Sequence, residues 1–344
     1  MLHFECDYAA GAVEQVLRAL CDTNAEQTPG YSEDVHCERA RELIRQKWAA
    51  PDAAVHFVVG GTQANLTVIA AGLRPFEGVL CAETGHINVH ETGAVEATGH
   101  KVLGLPHRDG KINAQQVRKA MQDHLADSSF EHIVRPGMVY LSHPTELGTL
   151  YTRQELADIG DACREFGLKL FVDGARLGYG LAAQPDVDMP FLASVCDAFT
   201  IGGTKVGLLF GEAIVLSDPA LMDCFRYHIK QRGGMLAKGR LLGVQFEAIM
   251  QDDAYTAMPA RANAQAQRIK HAFVQQGCGL LVDTQANQVF PILPNAVMQR
   301  LQKDFSFSVW QKVDDEHTAV RFCACMTTED RDVETLLQAI GEAF

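Results

Sequence analysis

The chain has 344 residues, of which 47% are hydrophobic and 21% charged, as in a globular protein with one large domain and a smaller one. Its net charge of −13 argues against nucleic acid or an anionic membrane as a main partner. No apolar run approaches the roughly 20 residues that cross a bilayer, and residues 1–7 lack the pattern of a signal peptide. We therefore expect no membrane association and a cytoplasmic location.

The 10 cysteines are scattered along the chain. Cys323 and Cys325 are two residues apart, and no CxxC pair exists. This pattern is typical of reduced thiols, and the alternative of a zinc site lacks ligand pairs at zinc spacing. We expect no metal site.

Short apolar runs alternate with longer amphipathic segments between about residues 50 and 220. The predicted strands are Val55–Val59, Gly78–Cys81, Lys101–Leu105, Met138–Ser142, Lys169–Val172 and Ala198–Ile201. The predicted helices are Ala64–Ala71, Ala114–His124 and Gln154–Phe166. This rhythm predicts an α/β fold with a mostly parallel sheet, helices on both faces and ligands at the carboxyl ends of the strands.

Local signals support these elements and mark a second unit. Thr152 and Glu155 form a capping box that opens the third helix, and Gly167 fits its end. After Phe225 the pattern changes, and a long helix is predicted over Met235–Met250 and onward. Beyond it we expect a second domain with helices and short strands.

The loop after the first predicted strand, Gly60 to Asn65, combines two glycines with the start of a helix. Glycines expose backbone amides, and a helix N-terminus favours negative charge, so Gly61 and Thr62 are candidates to hold a phosphate. Taken alone, the loop is equally consistent with a plain strand-to-helix turn. The P-loop and GxGxxG patterns are absent, so nucleotide binding and a dehydrogenase fold are not indicated.

Two later loops carry charged residues at strand ends. Asp173 ends a buried strand, where a carboxylate needs a cation: a protonated pyridine nitrogen, or Arg176 in a structural ion pair. Lys205, preceded by Thr204, lies among glycines and apolar residues, where burial lowers the pKa of an amine and makes it available to a carbonyl group. The alternative is a surface lysine in a glycine turn.

The three loops together are more specific than each alone. A phosphate anchor, an acid for a ring nitrogen and a reactive amine are the functions that pyridoxal phosphate (PLP) requires of a protein. The chain resembles the fold-type I PLP enzymes, and within them the L-threonine aldolase and β-eliminating lyase family, from about Phe4 to Leu336. The resemblance implies an aspartate aminotransferase-like large domain at 41–245, a smaller C-terminal α+β domain at 246–344 and an N-terminal arm at 1–40 that contributes to a dimer and to the active site.

The same resemblance implies further roles. Gly85–Glu91 is similar to the segment whose first histidine stacks on the cofactor ring, which assigns His86, unless it is a helix-start histidine with a structural hydrogen bond. Arg176 is implied near the cofactor and the substrate carboxylate. Arg321 is implied to bind the same carboxylate bidentately, whereas without the resemblance it would be a surface strand residue.

Other implied residues concern the assembly. Tyr31, in Gly30–Asp34, falls in a segment that reaches the active site of a neighbouring subunit. Lys238 lies where the family supplies a cation to the phosphate across the dimer, although the register there places the family's arginine nearer Leu236. We therefore expect a homodimer or homotetramer with shared active sites.

Two positions depart from the family. Its serine beside the substrate carboxylate is Cys6 here, and its histidine near the substrate hydroxyl is replaced by Thr145, with His143 two residues away. Cleavage of a β-hydroxy amino acid needs a group that relays the hydroxyl proton, and His86, His143 or a water are the candidates.

The resemblance implies PLP-dependent aldol cleavage of L-threonine, L-allo-threonine or related amino acids to glycine and an aldehyde. The alternatives are β-elimination or transamination of another amino acid. A non-catalytic PLP-binding protein is a further possibility, which the complete set of Asp173, Lys205 and the two arginines disfavours.

Overall fold

The computed structural model describes all 344 residues. The strands are β1 (Leu2–His3), β2 (Ala54–Val58), β3 (Glu77–Ala82), β4 (Lys101–Leu105), β5 (Arg135–Ser142), β6 (Lys169–Asp173), β7 (Ala198–Gly202), β8 (Glu212–Leu216), β9 (Gln288–Val289), β10 (Ile292–Pro294), β11 (Phe305–Ser306), β12 (Ser308–Lys312) and β13 (His317–Cys323). The helices are α1 (Glu14–Asp22), α2 (Val35–Lys47), α3 (Gly61–Gly72), α4 (His86–Val89), α5 (Ala114–Ala126), α6 (Arg153–Phe166), α7 (Leu177–Ala183), α8 (Met189–Val195), α9 (Pro219–Met222), α10 (Phe225–Gln231), α11 (Arg240–Met250), α12 (Ala254–Gln275), α13 (Asn295–Leu301) and α14 (Asp330–Ala343).

A seven-stranded sheet forms the centre of the molecule, in the order β2-β8-β7-β6-β5-β3-β4. All pairs from β7 to β4 are parallel, and β8 runs antiparallel between β2 and β7. The six predicted strands are all present, and β8 is the strand that the sequence analysis missed. Apolar clusters cover both faces of the sheet, as a parallel sheet requires.

Helix boundaries follow the local signals where these are strong. The Thr152 hydroxyl accepts from the Glu155 amide, and the Glu155 carboxylate accepts from the Thr152 amide. Gly167 ends α6 with a φ of 65°. The long helix predicted from Met235 begins only at Arg240, because Gly239 and the residues before it form turns. That helix ends at Met250, and α12 follows as a separate helix.

The C-terminal part builds an antiparallel sheet of β10, β13 and β12, with β9 also on β13. The N-terminus joins this unit, because β1 pairs with β11 and Phe4 is buried in its apolar cluster. The predicted domain boundaries at 40/41 and 245/246 stay predictions, and each falls inside a helix, α2 or α11. None of the helices is long and apolar enough to cross a membrane.

Helices α2 and α11 pack closely enough to require a glycine. A Cβ added to Gly243 would lie 2.5 Å from the backbone nitrogen of Cys37, whereas one added to Gly341, in α14, would meet nothing within 4 Å. Both glycines lie within helices, so replacement by alanine improves the helix propensity at each position. The two changes differ in whether the added Cβ meets another helix.

We expect Gly243→Ala to lower the free energy of unfolding by about 1–3 kcal/mol, because the backbones of α2 and α11 must separate. The matched change Gly341→Ala should raise it by up to about 1 kcal/mol through helix propensity alone. Urea unfolding followed by circular dichroism measures both. Equal changes of the same sign in the free energy of unfolding would show that the close contact between Gly243 and α2 does not determine the effect of the substitution.

Candidate active site

A cavity of about 240 Å³ lies at the carboxyl edge of the parallel strands. Loops after β2, β5, β6 and β7 line it together with α4, so residues distant in sequence meet there. Its lining comprises Val59, Gly60, Gly61, Thr62, His86, Ser142, Pro144, Glu146, Asp173, Ala175, Arg176, Thr204, Lys205, Phe210 and Glu212. A larger depression of about 530 Å³ beside α2 contains none of the predicted site residues.

The predicted phosphate loop opens directly onto this cavity. Helix α3 begins at Gly61, and Gly60 before it provides no side chain to cap the helix. The amides of the first turn have no partner within a helix, so those of Gly61 and Thr62 are available to an anion. A Cβ at Gly60 or Gly61 would meet nothing within 4 Å, which leaves space for a bulky group. The loop therefore fits a phosphate.

Asp173 ends β6 and is buried. Its Oδ2 accepts hydrogen bonds from the Tyr140 hydroxyl at 2.6 Å and from Asn65 Nδ2 at 2.8 Å, and Oδ1 accepts from the Ala175 amide at 2.9 Å. It forms no ion pair, because Arg176 pairs elsewhere. A carboxylate held by neutral donors and lacking a cation fits the protonated ring nitrogen of PLP.

Lys205 lies in a single helical turn, Thr204–Val206, directly after β7. Burial and the nearby Arg176 guanidinium lower the pKa of its amine. Gly207 ends the turn with a φ of +99°, which an L side chain rarely adopts, and Thr204 Oγ1 accepts from the Gly211 amide at 3.0 Å. Lys205 is not exposed and lines the cavity, so the alternative of a surface lysine is wrong.

His86 connects to Asp173 through two residues that the sequence analysis did not single out. Its Nδ1 lies 2.8 Å from Glu91 Oε1, which also accepts from Asn65 Nδ2 at 2.8 Å. The same amide donates to Asp173, so one side chain joins both carboxylates. Burial lowers the pKa of His86, but the Glu91 hydrogen bond reverses this effect and raises it overall.

A second path closes a ring of hydrogen bonds around the cavity floor. Ser142 Oγ lies 3.1 Å from the Tyr140 hydroxyl and donates to Glu146 Oε1 at 2.5 Å. Glu146 Oε1 also accepts from the His86 amide at 2.8 Å. Thus His86 and Asp173 are held from two directions. No sequence signal pointed to Tyr140 or Glu146, because each contacts a residue distant in sequence, Asp173 and His86 respectively.

Arg176 forms a bidentate ion pair with Asp7 of the N-terminal segment, Nε to Oδ2 at 2.7 Å and Nη2 to Oδ1 at 3.0 Å. Asn287 Nδ2 donates to the same Asp7 at 2.9 Å, so three parts of the chain meet on one carboxylate. Burial raises the pKa of Asp7, but Arg176, aided by Lys205, holds it at about 2. The ion pair with Asp173, which was the alternative partner for that carboxylate, is not formed. The Arg176 Nη1 takes no part in the pair with Asp7.

Glu212 is a further cavity residue that was not predicted from the sequence, because its strand, β8, was missed. It opens β8 in register with Val58 and Gly202, and its Oε2 is buried without a partner. Burial and the charge of Asp173 raise the pKa of Glu212 well above its ordinary value. The neutral acid is thereby favoured next to Lys205, which avoids a further buried charge.

The loop after β5 corrects one expectation. His143 is completely buried, neither ring nitrogen has a hydrogen-bond partner, and burial lowers its pKa to about 4. It does not line the cavity, so it is not a candidate to relay a substrate proton. Thr145 is also buried, with its Oγ1 2.7 Å from Thr149 Oγ1. Glu146 is the residue of this loop that reaches the cavity instead.

Four predicted residues lie outside the cavity lining. Arg321 donates from Nη2 to the Glu5 carbonyl at 2.9 Å and to Ser308 Oγ at 3.1 Å, and Cys6 lies beside Asp7 in the same segment. Tyr31 and Lys238 are exposed. Their roles in binding substrate or cofactor stay predictions, and for the last two the prediction concerns a neighbouring subunit.

No group of His, Cys, Asp and Glu side chains is arranged to hold a metal ion. A buried lysine, a carboxylate without a cation and an uncapped helix N-terminus, at the carboxyl edge of one parallel sheet, instead define the site of a PLP enzyme of fold type I.

Comparison with known proteins agrees with this class. The family model of the beta-eliminating lyases matches residues 4–294. The low specificity L-threonine aldolase of Pseudomonas aeruginosa is 31% identical over 305 residues, which cover 87% of this chain and 86% of that one. A structure of Leishmania major threonine aldolase superposes with a TM-score of 0.97 at 40% identity and covers 99% of both chains.

Aspartate aminotransferase from Thermus thermophilus, at 14% identity, shares the fold with a TM-score of 0.70 over 100% of this chain and 92% of that one. The chain belongs to the beta-eliminating lyase family, and the resemblance and the fold class predicted from its sequence are confirmed. The expectations of an enzyme and of PLP as its cofactor are confirmed with them.

We expect Asp7→Asn to lower the free energy of unfolding by about 2 kcal/mol at pH 7, because the pKa of the buried carboxyl is held at about 2 instead of 3.8. The ionised form stabilises the folded chain above the unfolded pKa, and this contribution is lost as the pH falls through the folded pKa. The difference in the free energy of unfolding between wild type and Asp7→Asn should therefore become smaller as the pH is lowered.

Urea unfolding of both proteins from neutral pH down to about pH 3 measures this gap. The exposed Asp52, whose side chain makes no hydrogen bond or ion pair, is the matched control, since Asp52→Asn should leave the free energy of unfolding unchanged. A gap for Asp7→Asn that stays constant with pH would contradict the assignment to the ion pair with Arg176.

Proposed function

We propose that the chain is a PLP-dependent lyase that cleaves L-threonine, L-allo-threonine or related β-hydroxy-α-amino acids to glycine and an aldehyde. The observation that carries the proposal is the meeting of Lys205, Asp173 and the open N-terminus of α3 around one cavity. The similarity to threonine aldolases over most of the chain supports the substrate class.

The residues around the cavity have distinct tasks in this proposal. The amides of Gly61 and Thr62, with Thr204 nearby, would hold the phosphate group, and Asp173 would keep the ring nitrogen protonated. Lys205 would hold the cofactor through its amine, and burial, which lowers the pKa of this amine, favours the form that reacts with a carbonyl group. When bound, PLP supplies an aldehyde for the substrate amine and a ring that withdraws electrons from Cα. His86, which lines the cavity, is the residue that would cover one face of that ring.

Arg176 and Arg321 are proposed to bind the substrate carboxylate, which orients the Cα–Cβ bond for cleavage. Asp7 supports this role, because it fixes the Arg176 guanidinium while its pair leaves Nη1 free. Arg321 approaches from β13, where the backbone of Glu5 holds it next to the N-terminal segment. Cys6 lies between Glu5 and Asp7 and is proposed to take the place of the family's serine beside the carboxylate.

We propose further that the protein is a homodimer or homotetramer with shared sites. Exposed apolar side chains support this, because Leu17 and Leu209 border an apolar groove that meets the cavity at Phe210. Tyr31 and Lys238, which are absent from the cavity of their own chain, would reach the cavity of a second copy. Sedimentation of the purified protein tests the assembly. The cytoplasmic location stays a prediction.

The decisive test is an assay of L-threonine, L-allo-threonine and phenylserine with detection of both glycine and the aldehyde. Formation of both products is expected with wild type. A keto acid with ammonia in place of glycine would contradict aldol cleavage and favour elimination or transamination.

Lys205→Ala should abolish cleavage and remove the borohydride-reducible absorbance of bound PLP, because no other lysine lines the cavity. Lys303→Ala, an exposed lysine without an ion pair, is the matched control and should retain both. A reducible band that survives in Lys205→Ala would show that another amine holds the cofactor.

A further inference from the structure

The loop after β5 brings one carboxyl group, and no histidine, into the cavity. His143 and Thr145 are enclosed away from it, whereas Glu146 lines it together with His86 and Ser142. The side chain that faces the reacting groups from this loop is therefore an acid.

The two oxygens of Glu146 have different surroundings. Oε1 accepts from the His86 amide and the Ser142 hydroxyl, at 2.8 and 2.5 Å. Oε2 makes no hydrogen bond to another residue, and it is not among the polar atoms shielded from solvent. One oxygen is thus anchored and the other is left open to the cavity.

Its neighbours are less suited to accept a proton. His86 Nδ1 is engaged with Glu91, and the raised pKa of this imidazole favours the form that already carries both protons. Asp173 has both oxygens occupied by donors. Oε2 of Glu146 is free of such bonds.

We propose that Glu146 is a catalytic residue that takes up the proton of the substrate's β-hydroxyl group when the Cα–Cβ bond breaks. This inference rests on the function proposed above. The proton moves from the hydroxyl to Oε2, the electrons of that O–H bond form the carbonyl of the departing aldehyde, and the electron pair of the Cα–Cβ bond stays with Cα. Protonation of Cα then gives glycine, and Glu146 releases its proton to solvent.

The electrostatic surroundings agree with this task. Burial raises the pKa of Glu146, and the Asp173 charge adds to the effect, while the bonds from Ser142 and His86 oppose it. A general base is most effective when its pKa is near the working pH, because it must both accept and release a proton in each cycle. An exposed glutamate would bind the proton too weakly.

The test compares two reactions of the PLP-loaded protein that share every step except the one assigned to Glu146. Glycine has no β-hydroxyl group, so exchange of its α-protons with D2O, followed by proton NMR, needs the cofactor site but no hydroxyl base. Cleavage of L-threonine and L-allo-threonine needs both. Glu146→Gln should lower kcat for cleavage by about 100-fold or more and leave glycine exchange at the wild-type rate.

Three further readouts separate catalysis from structure. Glu146→Gln should keep the wild-type Kd for PLP, measured by titrating the cofactor-free protein, and the wild-type thermal unfolding midpoint. Glu146→Asp, which keeps a carboxylate on a shorter side chain, should recover part of the cleavage rate. Glu131→Gln, an exposed acid beyond the opposite end of β5, should match wild type throughout.

The outcomes are distinct. Cleavage by Glu146→Gln at the wild-type rate overturns the assignment, and so does an equal loss of cleavage and glycine exchange. If Glu146→Gln does not fold, Glu146→Asp decides: slower cleavage with glycine exchange at the wild-type rate supports the proposal, and a parallel loss of both reactions overturns it. A wild type that exchanges glycine protons but cleaves no β-hydroxy amino acid overturns the proposed function itself, and this inference with it.

Discussion

Burial of acidic side chains at the carboxyl edge of the sheet is the constraint on which the site depends. Asp173, Glu146 and Glu212 line the cavity together with the Arg176 guanidinium and the Lys205 amine. An isolated charge is costly to remove from water, so each carboxyl group must be compensated or neutral. The structure meets this demand differently at each position.

Asp173 is stabilised by three neutral donors and lacks a cation of its own chain, whereas Glu212 has a raised pKa that favours its neutral form. Asp7 forms a bidentate ion pair with the Arg176 guanidinium. These different solutions leave Asp173 as the acid available to a positively charged ring. They also leave Lys205 without an ion pair, which keeps its amine reactive.

The ion pair of Asp7 and Arg176 also connects the parts of the chain that surround the substrate. Asp7 belongs to the segment that follows β1, Arg176 to the loop after β6, and Asn287 to the C-terminal unit. A bidentate pair fixes a guanidinium in one orientation. Any movement of the C-terminal unit against the large sheet would therefore be transmitted to a side chain at the cavity.

Local patterns in the sequence determined much of the fold and the most distinctive part of the site. The period of the apolar runs predicted six strands of the large sheet, and the capping box predicted the start of α6, because both depend on residues within a few positions of each other. Gly61, Asp173 and Lys205 were recognisable for the same reason: each follows a buried strand, and parallel strands end at one edge.

Only the tertiary structure decided which side chains complete the site. From the sequence, His143 was a candidate proton relay. The conformation of its loop buries that ring, and Glu146 lines the cavity instead. An ion pair of Arg176 with Asp173 was one of two alternatives that the sequence left open, but Arg176 pairs with Asp7, 169 positions away. The physical reason is common to both cases. Side-chain direction and long-range pairing depend on how loops pack against each other, and nothing in a local pattern encodes that packing.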